Sequence, residues 1–511
     1  MPEPLPKREK KLLFIIADQW RGDTLSHLGH VAAQLPNLAR IAARGVTFAR
    51  HFVQSSPCNP SRAAIYSGQY LMNHRVVGNE TPMDPYVTTL PFYLRRLGFD
   101  PCVSGYTSTI RHPDGRDPAD PILRSPHNAD GWRVLRDFDG KREDYLAFLH
   151  ANGWERTKDY GSLFPKLAHP VSEIPASPIP FSQSDTRWIA DAAHDYIRYH
   201  AEAPWAVHLS LFKPHLPLYP SPEFVAAAPA AERVAAPKAL PKGEIDDHPF
   251  IQYSRKRISS DYLWRGEKRP IADLSEAEIV TGRRAYYAIC AEVDAAIGQI
   301  LDMLEATDQI DDTIIIFTSD HGECLGDYGL WGKFTCFPEA FHVPLIVADP
   351  SPDYDATRGS VVRDFSEGVD VLPTILDLLG TSGDAGIDGR SLKPYLAGKR
   401  VEQRKERAFF EFDFRNDKPR GTPIDALPRR EKSLAATISD DALYIHFPSL
   451  PPLSFRITDP TAMTLEPITG HDAVNARLAG MEALLAWRLR HADSRRTGLV
   501  ATESGMETVK E

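Results

Sequence analysis

Two unbroken apolar runs stand out against the polar background of this chain. Residues 12–17 (LLFIIA) carry no polar position and stop at Asp18-Gln19-Trp20-Arg21, and residues 313–317 (TIIIF) repeat the pattern shortly before Asp320-His321. A run without alternation suits a strand buried on both faces of a parallel sheet. The second run follows a helical stretch. Ser275 and Glu278 have capping-box spacing, and Ile289, Val293, Ile297, Ile300 and Leu304 recur at helical intervals before Asp311-Asp312. A helix that delivers the chain into a buried strand predicts an α/β fold.

The same rhythm predicts a short helix over 38–45 with a glycine stop at Gly45, and another over 369–379 despite Pro373. Segments 110–185 and 215–270 lack sustained periodicity and are rich in Pro, Asp, His and aromatic residues. They read as long insertions over the carboxyl edge of the sheet. Beyond about residue 400 the pattern changes to β-like runs at 407–412, 434–438 and 442–447, followed by a helix over 471–490 and about twenty polar residues that read as an arm or a disordered tail. The expected architecture is α/β: a large mixed, mostly parallel sheet with helices on both faces in a catalytic domain over 1–400, and a small antiparallel-sheet-plus-helix subdomain over 401–511.

Composition narrows the function. The 511 residues are 42% hydrophobic and 25% charged, with a net charge of -10. That is ordinary for a globular enzyme and argues against a nucleic-acid partner, which needs a basic face. The polar, proline-rich first eleven residues and the short apolar run behind them offer neither a secretory core nor a membrane span, so the expected location is cytoplasmic. Cysteines 58, 102, 290, 324 and 336 are scattered and odd in number, which suggests neither a disulfide framework nor a thiolate zinc site.

The chemistry gathers at strand ends. Asp18 follows the first buried strand and Asp320-His321 the other, so in a parallel sheet all three emerge on the carboxyl edge, where two carboxylates and an imidazole invite a metal. Cys58 lies in Cys58-Asn59-Pro60-Ser61-Arg62, just after a proline-punctuated turn and at the opening of a helix. There, free backbone N–H groups and the helix dipole favour negative charge on a nucleophile and a bound anion.

The pentapeptide resembles the maturation motif Cys-x-Pro-x-Arg of the formylglycine-dependent sulfatases of the alkaline phosphatase superfamily, and the chain looks most like their phosphonate monoester hydrolase and arylsulfatase branch. The resemblance covers nearly the whole chain. It rests on Ala17-Asp18-Gln19-Trp20-Arg21, the Cys58 motif, Tyr70-Leu-Met-Asn-His-Arg75, Gly105-Tyr-Thr-Ser-Thr109, Lys213-Pro-His215, Thr318-Ser-Asp-His-Gly-Glu323, Leu325-Gly-Asp327, Gly332-Lys333, Pro373-Thr-Ile-Leu376 and Asp388-Gly-Arg-Ser-Leu392.

That resemblance implies an alkaline phosphatase-like fold and oxidation of Cys58 to formylglycine by a maturation enzyme. It also implies one divalent cation held by Asp18, Asp320, His321 and the modified residue 58. Most sulfatases have a second Asp where Gln19 stands, an Asn where His321 stands, and calcium as the metal. Imidazole is a softer ligand than an amide carbonyl, which favours manganese here, with calcium, magnesium and zinc as alternatives.

In the mechanism implied, one hydroxyl of the aldehyde hydrate attacks the ester and the other expels the sulfate or phosphonate as the aldehyde re-forms. Arg62 stabilises the hydrate, His215 donates a proton to the leaving oxygen and Lys333 assists electrostatically. Asn79, Tyr106 and Ser108 contact the substrate, although phosphonate hydrolases tend to carry Thr where Ser108 stands. The implied substrates are small sulfate monoesters first, with phosphonate monoesters and phosphate diesters overlapping or, in the alternative order, leading. A homo-oligomer built through the C-terminal arm is implied as well. The other readings are a metal-binding relative that keeps Cys58 as a thiol, and a two-metal phosphatase.

Overall fold

The computed structural model describes residues 10–30, 32–110, 112–115, 117, 131–239, 245–384, 386–492, 499–502 and 505–508. Its centre is an eight-stranded sheet. In chain order the strands are β1 (Lys11–Ala17), β2 (Val46–Phe48), β3 (Cys102–Gly105), β4 (Arg133–Asp137), β5 (Ala206–Leu211), β6 (Thr313–Thr318), β7 (Leu345–Ala348) and β8 (Ser360–Val362). They lie in the spatial order β8-β2-β7-β6-β1-β5-β3-β4. Strands β6, β1, β5, β3 and β4 run parallel, while β7 is antiparallel to both β6 and β2, so the sheet is mixed and mostly parallel as expected.

The unbroken apolar run of β1 is explained by two cores. Leu13, Ile15 and Ala17 face one, together with Ile189, Ala193 and Ile197 of α3 (Asp185–Tyr199) and Ile289, Val293, Ile297, Ile300 and Leu304 of α4 (Glu276–Ala306). Leu12, Phe14 and Ile16 face the other, with Leu372, Ile375 and Leu376 of α5 (Val371–Leu378). A strand covered on both sides favours apolar side chains at successive positions. The capping box that opens α4 is formed as read, with Ser275 Oγ and the Glu278 carboxylate exchanging bonds across the first turn.

The second core runs on into a six-stranded sheet containing β9 (Ala408–Asp413), β10 (Ser433–Ile438), β11 (Ala442–His446), β12 (Leu453–Asp459) and β13 (Thr464–Pro467). These five are antiparallel in sequence, and α6 (Gly470–His491) packs on them. The sixth strand is Ser55–Ser56, parallel to β9, so the chain entering the Cys58 helix is an edge of the C-terminal sheet.

Three expectations change. The helix at 36–43, α1 (Pro36–Ala43), precedes Gly45, but Gly45 is required by packing rather than as a left-handed stop, since a Cβ there would overlap the Val347 carbonyl. Segment 110–185 is not wholly an insertion, because it supplies edge strand β4. The polar tail pairs 499–502 with 505–508 as two antiparallel strands, while residues 118–130, 240–244 and 493–498 lie outside the described residues. Among the described residues no helix is long and apolar enough to cross a membrane.

Candidate active site

Four neighbouring parallel strands, β6, β1, β5 and β3, deliver the site residues from their carboxyl ends. Asp18 follows β1, Asp320 and His321 follow β6, Lys213 and His215 follow β5, and Tyr106 and Ser108 follow β3. Gly105 closes β3 at φ 107, where a Cβ would overlap the Ser210 carbonyl. Only glycine lets β3 and β5 approach closely enough to bring Tyr106 in.

Cys58 is the first residue of α2 (Cys58–Ser67), a helix buried over all ten positions. Pro57 caps the helix without a side-chain bond, so the end is completed from outside: Asn79 Oδ1 accepts from the Asn59 N–H at 3.1 Å. The Cys58 Sγ atom therefore sits at the positive end of a helix dipole, with Lys333 Nζ 3.1 Å and His321 Nε2 3.3 Å away.

Ligand atoms of Asp18, Cys58, Asp320 and His321 all lie within 4.8 Å of one another, and all four residues are buried. The donor set suits a cation. Burial and the neighbouring Asp320 charge push the Asp18 carboxyl up to about 8. Burial acts on Asp320 in the same sense, but the Arg62 guanidinium together with its other cationic surroundings, Lys333 among them, holds that carboxyl low. Two adjacent buried carboxylates ionise together only with positive charge between them, and Asp18 Oδ1 has no hydrogen-bond partner among the described residues. His321 donates from Nδ1 to the Gly322 carbonyl at 3.1 Å, which leaves the Nε2 lone pair facing the cluster. Burial pushes its pKa down to about 3, so it is a neutral imidazole ready to ligate.

Two buried cations flank the cluster. Arg62 Nε donates to Asp320 Oδ2 at 2.8 Å, and its Nη1 donates to the Tyr106 carbonyl and to Ser210 Oγ at 3.1 and 2.8 Å. The guanidinium also lies 4.3 Å from the centre of the Tyr106 ring, and the Tyr106 hydroxyl donates to Asp18 Oδ2. Lys333 Nζ donates to Gln19 Oε1 at 3.1 Å, and Gln19 Nε2 donates to Glu323, which also accepts from the Gly332 N–H. Gln19 thus holds Lys333 beside Cys58. Its φ of 68 is a left-handed conformation, fixed by its own N–H donating to Asp320 Oδ1 at 3.1 Å.

The remaining candidates lie on segments adjoining these elements. His215 lies against the Phe212 ring at 4.7 Å and donates from Nδ1 to the Leu216 carbonyl at 2.8 Å. Burial, with the Lys333 charge adding to it, pushes its pKa well below 6.5, so the resting imidazole is neutral rather than a charged donor. Asn79 is exposed and reaches the site through its cap on α2, and half-buried Ser108 stands in a left-handed turn at φ 57, two residues beyond Tyr106.

Sequence reasoning missed Ser210 and Glu323 as supports. The signal for Ser210 was a polar residue inside the buried run AVHLSL; for Glu323 it was a place in the same motif as Asp320.

Comparison with known proteins bears on this geometry. The sulfatase family profile matches residues 10–381. The chain is 34% identical over 522 aligned residues to the multifunctional alkaline phosphatase superfamily protein PehA of Trinickia caryophylli, covering 98% of this chain and 99% of that one. It is 28% identical over 399 residues to a choline-sulfatase of Rhizobium meliloti, covering 76% and 71%. The crystal structure of the phosphonate monoester hydrolase of Agrobacterium radiobacter superposes with a TM-score of 0.91 at 32% identity, covering 98% of this chain and 100% of that one.

Proposed function

The chain belongs to the sulfatase family, and from that premise we propose that it hydrolyses monoanionic esters, phosphonate monoesters and phosphate diesters foremost and sulfate monoesters beside them. In this reading residue 58 is matured to formylglycine, and one divalent cation, manganese by preference, is held by Asp18, Asp320, His321 and the modified residue. The observation that carries it is Cys58 at the start of a buried helix, with its Sγ inside a cluster of metal-ligand atoms and in contact with Lys333.

Likeness along the whole chain to a phosphonate monoester hydrolase and to a multifunctional relative supports placing phosphonate ahead of sulfate, the reverse of the order expected from sequence. Charge supports a monoanionic substrate. The Asp18 and Asp320 carboxylates are offset by Arg62 and Lys333, so a divalent ion leaves the pocket doubly positive. An ionised nucleophile and one monoanionic ester neutralise that surplus; a dianionic phosphate monoester exceeds it.

When bound, the cation and the aldehyde hydrate supply a nucleophilic oxygen and charge neutralisation for the ester oxygens. The chain's own residues do the rest. Arg62 fixes Asp320 and, through Tyr106, Asp18, so both carboxylates are placed before substrate arrives. Lys333, held by Gln19, keeps a positive charge beside residue 58. Burial and the Lys333 charge keep His215 neutral at rest; an anionic ester in the pocket opposes the second of these and favours the imidazolium that would pass a proton from Nε2 to the leaving oxygen.

The test is to produce the protein with a formylglycine-generating enzyme, weigh the peptide carrying residue 58, and compare kcat/KM for para-nitrophenyl phenylphosphonate and para-nitrophenyl sulfate. We expect an aldehyde at residue 58, a higher value for the phosphonate, and no turnover by Cys58→Ala. An active enzyme whose residue 58 is a thiol would sink the mechanism, and a higher value for the sulfate would reverse the substrate order.

A further inference from the structure

Tyr262 is 46% exposed, although Ser260, Leu263 and Trp264 around it are buried to 1% or less. A large aromatic held out from an otherwise buried segment needs a reason. The segment is firmly tied. Tyr262 N donates to the Ser259 carbonyl and Trp264 N to the Ser260 carbonyl, each at 2.9 Å, while Ser260 Oγ donates to the Glu267 carbonyl at 2.8 Å. It is also bonded to the loop that carries His215, since Leu218 N donates to the Leu263 carbonyl at 2.8 Å.

His215 and Tyr262 thus sit on two segments paired through the backbone. Their ring centres are 6.3 Å apart at 67°, and Phe212 supports the imidazole at 4.7 Å. Surrounding protein raises the Tyr262 pKa above the usual tyrosine value, and the charges of Lys333, Cys58 and Asp18 all act on the phenol. The half-exposed Tyr262 ring lies beside His215, on which the Lys333 charge acts in turn.

We propose that Tyr262 is the platform for the leaving group of the ester, with His215 beside it, so that the enzyme selects esters of planar aromatic alcohols over alkyl ones. The inference rests on reading the site as an ester hydrolase, with His215 on the leaving-oxygen side. Stacking holds substrate and transition state alike, so its loss falls on KM rather than on kcat.

The experiment compares para-nitrophenyl phenylphosphonate with hexafluoroisopropyl phenylphosphonate, an alkyl ester with an acidic alcohol, in the metal-loaded, matured enzyme and in Tyr262→Ala and Tyr262→Phe. Tyr262→Ala should lower kcat/KM for the aryl ester about tenfold through KM and for the alkyl ester less than about threefold, while Tyr262→Phe keeps the aryl preference. Parallel losses on both esters, or a Phe variant as impaired as Ala, would overturn the proposal and leave the hydrolase reading standing. A matured enzyme that cleaves neither ester would overturn both.

Discussion

Replacing Arg62 by Lys conserves charge and removes geometry. The guanidinium makes three hydrogen bonds, to Asp320, the Tyr106 carbonyl and Ser210, and stacks on the Tyr106 ring, all with no exposed surface. A lysine ammonium on a flexible stem can reach Asp320 and must give up the carbonyl, the hydroxyl and the stack. Buried bonds from a charged donor contribute about 1.5–3 kcal/mol each and the stack roughly 1–2 kcal/mol, so losing two bonds and the stack in Arg62→Lys should destabilise the fold by ~4–8 kcal/mol. The same bonds fix Asp320 directly and Asp18 through Tyr106, so misplacing them should cut kcat/KM by about a hundredfold or more. Urea unfolding followed by circular dichroism gives the first quantity, and steady-state kinetics of the matured, metal-loaded variant give the second. Arg62→Met, which leaves Asp320 without a cationic partner, should unfold at lower urea than Arg62→Lys. If Arg62→Lys loses under about 1 kcal/mol and stays within about threefold of wild-type kcat/KM, the guanidinium does not organise the carboxylates as argued.

Glu411 offers a pH test. Burial, only partly offset by Arg488, raises its carboxyl from 4.5 to about 7, so the folded state binds its proton more tightly than the unfolded chain. Stability should therefore fall as pH rises from about 4.5 to about 7, by up to ~3 kcal/mol, and Glu411→Gln should flatten that slope in urea titrations at several pH values. Gln19→Ala frees Lys333 and Glu323 from each other and should lower kcat about tenfold to a hundredfold with little change in KM, which steady-state kinetics will show. Chelation of the matured enzyme should abolish turnover and lower Tm, since the two carboxylates lose the charge that lets both ionise. Calorimetric scans with and without manganese check this.

The parts of the fold legible in the sequence were those whose burial is two-sided. Residues 12–17 of β1 include no polar side chain, so the strand's end and Asp18 could be placed from the pattern alone. Edge strand β4, Arg133–Asp137, is partly exposed and mostly charged, and it vanished into its neighbourhood. The two-residue strand Ser55–Ser56 carries no periodicity at all. The gathering of Asp18, Cys58, Asp320 and His321 was readable because strand ends and motif spacing converge on it. The relay from Glu323 through Gln19 to Lys333 was not, because Gln19 meets both partners across more than three hundred residues of sequence. Nor could sequence show that His215 rests neutral, which follows from burial and the Lys333 charge.

The pairing of Ser55–Ser56 with β9 has a consequence for timing. Cys58 ends 7% exposed, two residues beyond a strand whose partners are Glu411 and Phe412. The ribosome must therefore make roughly 350 further residues before that edge can close, on the order of half a minute at ordinary rates of synthesis. On the proposed chemistry, that delay is the window in which a maturation enzyme meets an extended, accessible pentapeptide. A circular permutant that synthesises β9 before residue 55 would shorten the window and yield protein with an unconverted thiol.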